Sequence, residues 1–258
     1  MPMVDVAVLA ALAVATSVLS AMVGMAGGAV LLTVMLLYLD PLVAIPLHAV
    51  TQLLANGSRA WFQRREVRWR VVGWYALPLL PAAALGYPLA QAIPPRGAKL
   101  GIGLFVLLAT WAPGLMRFGR GAGSGATGSR PGPRGGVRGF ALLGAVSGFL
   151  GPNLGVTGPL QAPFFLALGY PRQALIGTFA ASQVFFHLSK VVLFVAGGFA
   201  FGAHLVLLAA LCAAALAGTW VGSRLLGHVS ERVFRALFQG VLTLVALRLV
   251  LVDGLGVG

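Results

Sequence analysis

The apolar residues of this chain fall into long runs with polar residues gathered at their ends. Six runs, at roughly 43 to 62, 71 to 93, 98 to 116, 174 to 198, 203 to 226 and 233 to 252, reach the ~20 residues that a helix needs to cross a bilayer. Two further stretches, 4 to 39 and 139 to 168, are different in kind. As one helix the first would be about 54 Å long, against a hydrocarbon core of about 30 Å. Glycines interrupt both: Gly24, Gly27 and Gly28 in the first, and Gly148, Gly151, Gly155 and Gly158, with Pro152 and Pro159, in the second. Each therefore reads as two helical arms joined by a broken turn, with the returning arms starting near Ala29 and Pro159.

Composition agrees with a lipid environment. Of 258 residues, 59% are apolar and 9% charged, where a soluble domain carries about 25% charged residues. A soluble fold of this composition would expose large apolar patches. The net charge of +13 comes from 18 basic and 5 acidic residues, and the arginines cluster in a few loops, a membrane pattern that removes nucleic acid as the expected partner. Cys212 is the single cysteine, so no intrachain disulfide is expected. No basic residue precedes the first apolar run, which argues against a cleaved leader.

Charge also decides whether the broken stretches double back. If they do, with the N-terminus outside, fourteen basic residues fall in inner loops against Arg96 and Lys99 outside; single crossings would leave ten against six. Doubling back fits the positive-inside rule better. Arg64, Arg65, Arg68 and Arg70 beside Trp61, Trp69 and Trp74 then form an inner interfacial anchor, with anionic lipid as a compatible contact.

The expected fold is an all-α polytopic membrane protein of two inverted repeats, each a broken helical hairpin plus three transmembrane helices. Residues 1–116 form the first repeat and 139–258 the second. Between them, 117–138 is a cytoplasmic linker rich in Gly, Ser and Arg. Sliding the halves by 130 places Gly28 on Gly158; a shift of 131 places Gln52 on Gln183, Asn56 on His187 and Arg59 on Lys190. Each triplet lies on one helical face.

Two returning arms put two helix N-termini at the hairpin tips, and free N–H groups with a partial positive charge there attract anions. Thr157 suits the cap of the second arm. The candidate substrate-binding residues are Gly24, Gly27, Gly28, Gln52, Asn56, Arg59, Asn153, Gly155, Thr157, Gly158, Gln183 and Lys190, with His187 as a proton-coupling candidate. Each has a plainer alternative. The glycines serve close helix packing, Arg59 and Lys190 snorkel to headgroups, and His187 is a hydrogen-bonded packing residue. No acid lies clearly inside a helix, and neither a metal cluster nor a catalytic signature is present, so neither an enzyme nor a bound cofactor is expected.

The first half reads SAMVGMAGGAVLLTVMLLYLDPLVAIPLHAVTQLLANGSRA from Ser20, and the second GFLGPNLGVTGPLQAPFFLALGYPRQALIGTFAASQ from Gly148. The glycine-rich motifs, the proline-containing turn and the Gly177-Thr178 pair resemble the TauE/SafE sulfite exporter family of anion permeases over nearly the whole chain. Asn153, Thr157 and Pro159 among the second set of glycines depart from its pattern. The resemblance implies transport of sulfur oxyanions or organosulfonates, driven by the proton gradient, in the inner membrane. Its partners are a small anion and the bilayer, and a homodimer is compatible with it. An anion channel and a ligand-free scaffold are the competing readings.

Overall fold

The computed structural model describes residues 3–23, 27–112, 136–225 and 231–256, and among them every regular element is helical. In chain order these are α1 (Met3–Val23), α2 (Gly27–Tyr38), α3 (Pro41–Phe62), α4 (Trp69–Ala76), α5 (Leu79–Ala92), α6 (Pro95–Trp111), α7 (Phe140–Leu154), α8 (Gly158–Leu166), α9 (Arg172–Ala196), α10 (Leu205–Arg224) and α11 (Glu231–Arg248). The linker lies outside the described residues apart from its last positions, where Gly136–Gly139 make a short 3-10 turn into α7.

Both interrupted stretches are broken where glycine predicts it. α1 ends at Val23 and α2 starts at Gly27; Gly24 lies outside the described residues. α7 ends at Leu154 and is capped by Gly155, whose φ of +70° is a left-handed conformation that glycine adopts without strain, and α8 starts at Gly158. The run expected as one helix from 71 to 93 is instead two, α4 and α5, because Pro78 has no N–H to continue the ladder and crowds the preceding turn.

Among the described residues, four spans are long and apolar enough to cross a membrane: Met3–Ala21, Trp69–Ala92, Arg172–Ala196 and Phe201–Arg224. α3 is as long, but one face carries His48, Gln52, Asn56 and Arg59, all buried. Its partner is α9, which buries Gln183, His187 and Lys190. This polar pair runs through the middle of the bundle, and α1 packs along α10 while α5 packs along α7. Those outer pairs meet through glycine. At Gly148 of α7 a side chain would strike the backbone of Leu79 in α5, at Gly86 of α5 that of Phe149 in α7, and at Gly218 and Gly222 of α10 that of Val14 and Val18 in α1. Small residues thus let backbones approach, the main source of helix association in lipid.

At one end of the bundle the arginines lie on aromatic rings. Arg64 sits 4.6 Å from the Trp61 ring, Arg68 5.6 Å from Tyr170 and Arg138 5.8 Å from Trp74. In another part of the molecule, Lys99 of α6 pairs with Asp253, just beyond α11, at 3.4 Å.

Candidate functional site

The two helix breaks and the two polar stripes converge on one cavity of about 30 Å³. It is lined by Gly28 and Ala29 at the start of α2, by Val156, Thr157 and Gly158 at the start of α8, by His48, Gln52, Asn56 and Arg59 of α3, and by Gln183 and His187 of α9. Ser20 of α1 and the rings of Phe179 and Phe186 close it. Two helix N-termini therefore open on the same space, a concentration of unpaired N–H groups and positive potential.

The polar side chains are buried and held. Arg59, 2% exposed, does not snorkel: its guanidinium donates to the Ser20 hydroxyl at 2.9 Å inside the bundle. His48 Nε2 meets the Gly28 carbonyl oxygen at 2.8 Å, tying α3 to the tip of α2. Asn56 donates to the Gln52 carbonyl at 2.8 Å and to its side-chain oxygen at 3.3 Å. Across the cavity, Gln183 donates to Gln161 at 2.7 Å, and Gln161 donates to the hydroxyls of Thr157 at 2.6 Å and Ser147 at 3.2 Å. Thr157 stands at the N-cap of α8, its carbonyl accepting the Gln161 N–H at 3.1 Å. The rings of His48 and His187 meet edge to face, centroids 5.7 Å apart, and neither Nδ1 has a partner among the described residues.

Geometry separates the two roles expected of the glycines. Gly28 is a cavity residue, for an added Cβ would stand 3.0 Å from the Gln52 side-chain oxygen. Gly27 is a packing residue, its missing side chain leaving room for Thr16 and Ser20 of α1. Gly158 lines the cavity, and Gly155 packs instead against Leu32 and Ile45. Besides Gly27 and Gly155, two further expected residues lie off the cavity wall. Asn153 donates to the carbonyls of Gly86 and Phe149 at 3.1 and 2.9 Å. Lys190, fully buried, donates to the Gly155 carbonyl at 2.6 Å and lies 4.7 Å from the Phe186 ring; it too does not snorkel.

Ser20, Gln161 and Ser147 were not singled out from sequence. Their signal is the one that marked the others, a hydroxyl or amide inside an apolar run, but it falls on α1, α7 and α8, where no polar stripe repeats. Among the described residues no group of three or more His, Cys, Asp or Glu is placed to hold a metal ion.

A model of the Sulfite exporter TauE/SafE family matches residues 9–249. The chain belongs to that family, and is a membrane protein of a permease class that the match associates with sulfite or related anions. No curated protein and no solved structure matches it.

Proposed function

We propose that this chain is a multi-pass inner-membrane secondary transporter, rather than an enzyme, that carries a small sulfur oxyanion such as sulfite by alternating access around the cavity. The observation that carries the reading is the opening of two helix starts, at Gly28 and Gly158, on one space beside Arg59. Backbone N–H groups and a guanidinium are the donors that a multidentate oxyanion takes. The volume favours a compact anion: about 30 Å³ holds roughly two waters, and an organosulfonate requires the cavity to widen.

Two repeats are supported by the way the elements pair. Exchanging α1, α2 and α3 for α7, α8 and α9, and α4–α5 for α10, turns the α1–α10 contact into the α7–α5 contact and leaves the α3–α9 contact in place. Such doubled architectures, with broken helices meeting near the centre, suit alternating access. The arginine-rich loops then face the cytoplasm. Coupling to protons falls to the histidine pair, whose Nδ1 atoms have no hydrogen-bond partner among the described residues and are the ring positions that can take up a proton.

Ligand-induced stabilisation tests the site. Among sulfite, thiosulfate, sulfoacetate, sulfate and acetate, a sulfur anion should raise the unfolding temperature of the purified protein, by an amount equivalent to about 2.7 kcal/mol at a hundred times its Kd. Arg59→Gln should cut the shift to about half or less at the same anion concentration, as a tenfold or greater loss of affinity requires. An equal shift in that variant contradicts the assignment of the cavity as the anion site.

A further inference from the structure

A second, smaller pocket continues the line of the first. Pro41, Leu42 and Ile45 of α3, Pro152 and Asn153 of α7 and Phe194 of α9 line it, and the turn between α5 and α6 closes its far side. The two pockets share their walls in register. On α3, His48 lines the cavity and Ile45 the second pocket; on α9, His187 and Phe194 do the same. Spacings of three and seven residues keep each pair on one helical face. On the broken stretch, Val156 belongs to the cavity and Asn153 to the second pocket.

Between them stands one packed layer. Gly155 falls between Asn153 and Val156, and Lys190 between His187 and Phe194. Lys190 Nζ donates to the Gly155 carbonyl at 2.6 Å. The space beside Gly155 is filled, an added Cβ there standing 3.1 Å from Ile45 Cγ1 and closer still to Leu32. No charged residue lines the second pocket among the described residues; Lys190, on the Gly155 carbonyl, is the cation of the layer between the pockets, while Arg96 and Lys99 adjoin the lining residues Pro95 and Ala98 on the far side. A neutral carbonyl is a weak partner for a buried ammonium, and an oxyanion is a strong one.

We propose that the Asn153 pocket is the far segment of the anion's path, and that Lys190, held on the Gly155 carbonyl, is the latch dividing it from the cavity. The inference rests on the transport reading above. An anion entering the second pocket draws Lys190 off the carbonyl, and the freed Gly155 turn lets the layer part. Lys190 is then a positioning residue for the gate, which accounts for its place off the cavity wall.

Thiol labelling tests this. Cys212→Ala removes the native thiol, and in that background Ile93→Cys reports the second pocket and Val156→Cys the cavity. In sealed proteoliposomes, a membrane-impermeant thiol reagent on the face that labels Ile93→Cys should leave Val156→Cys protected. Lys190→Met should raise Val156→Cys labelling from that face roughly tenfold or more by opening the layer, and Lys190→Arg, which keeps a donor, should restore protection. Ile45→Ala thins the same layer from α3 and should also expose Val156→Cys, which keeps the test alive if Lys190→Met does not fold. Unchanged protection in whichever of the two folds, with sulfite flux intact in the Cys212→Ala parent, overturns the latch. Absence of flux in that parent overturns instead the transport reading on which the latch rests.

Discussion

The imidazole of His48 on α3 reaches the backbone of Gly28 at the start of α2, with Nε2 2.8 Å from the carbonyl oxygen. A carbonyl only accepts, so the ring donates from Nε2, and in the neutral ring Nδ1 keeps its lone pair. One bond thus fixes a tautomer and pins a helix tip that borders the cavity. His48→Phe keeps the ring volume and removes the bond. We expect a loss of about 1 kcal/mol of stability, the usual worth of one buried hydrogen bond, together with a larger fall in transport than that loss explains. Thermal unfolding in detergent and flux in proteoliposomes, measured on the same preparation, check both.

Gly28 and Gly57 are a matched pair. A Cβ on Gly28 meets the Gln52 amide at 3.0 Å, whereas one on Gly57 meets nothing within 4 Å. Gly28→Leu should fill the cavity and abolish anion flux while the protein still inserts. Gly57→Ala should leave flux unchanged and add about 0.5–1 kcal/mol of stability, because alanine holds a helix better than glycine. Flux assays with membrane-fraction immunoblots separate blocked transport from failed insertion.

Gly155 adopts a φ of +70° and packs against Leu32 and Ile45. Gly155→Ala combines backbone strain of about 1–3 kcal/mol with a steric clash. The unfolding temperature should fall further than for Gly169→Ala, where φ is +63° but nothing lies within 4 Å. The difference between the two variants measures the packing of the α7–α8 break.

Arg59 is buried in the cavity and Arg248 is exposed on α11. Arg59→Gln should raise the KM for the transported anion by roughly tenfold or more, the loss expected when a buried charged donor is removed. Arg248→Gln should leave it unchanged. Initial-rate flux over a range of anion concentrations distinguishes the two.

Much of this arrangement was legible in the sequence because lipid imposes simple rules. Helix length follows from bilayer thickness, and glycines, joined by proline in the second stretch, marked both breaks within two residues of where α2 and α8 start. The stripes Gln52, Asn56, Arg59 and Gln183, His187 were readable from helical spacing alone, since a polar face inside an apolar run needs a cavity or a partner. What spacing cannot convey is which neighbouring helix a face meets. Lys190 shares a face with Gln183 and His187, yet it turns to the Gly155 carbonyl, a contact made by the fold of a turn 35 residues away. Ser20 owes its place to the packing of α1 against α2, and the split of α4 from α5 hung on Pro78, one proline among several that helices here accommodate, as Pro46 in α3 shows.

Anion flux into proteoliposomes, with and without an imposed pH gradient, tests the central claim most directly. Sulfite or a related sulfur anion should accumulate beyond equilibration when the gradient is imposed; Gly28→Leu should lose the accumulation, and Arg59→Gln should need roughly tenfold more anion or more to reach it. Flux that never exceeds equilibration would make the protein a channel, and no flux of any sulfur anion would contradict the assignment of this cavity as the site of transport.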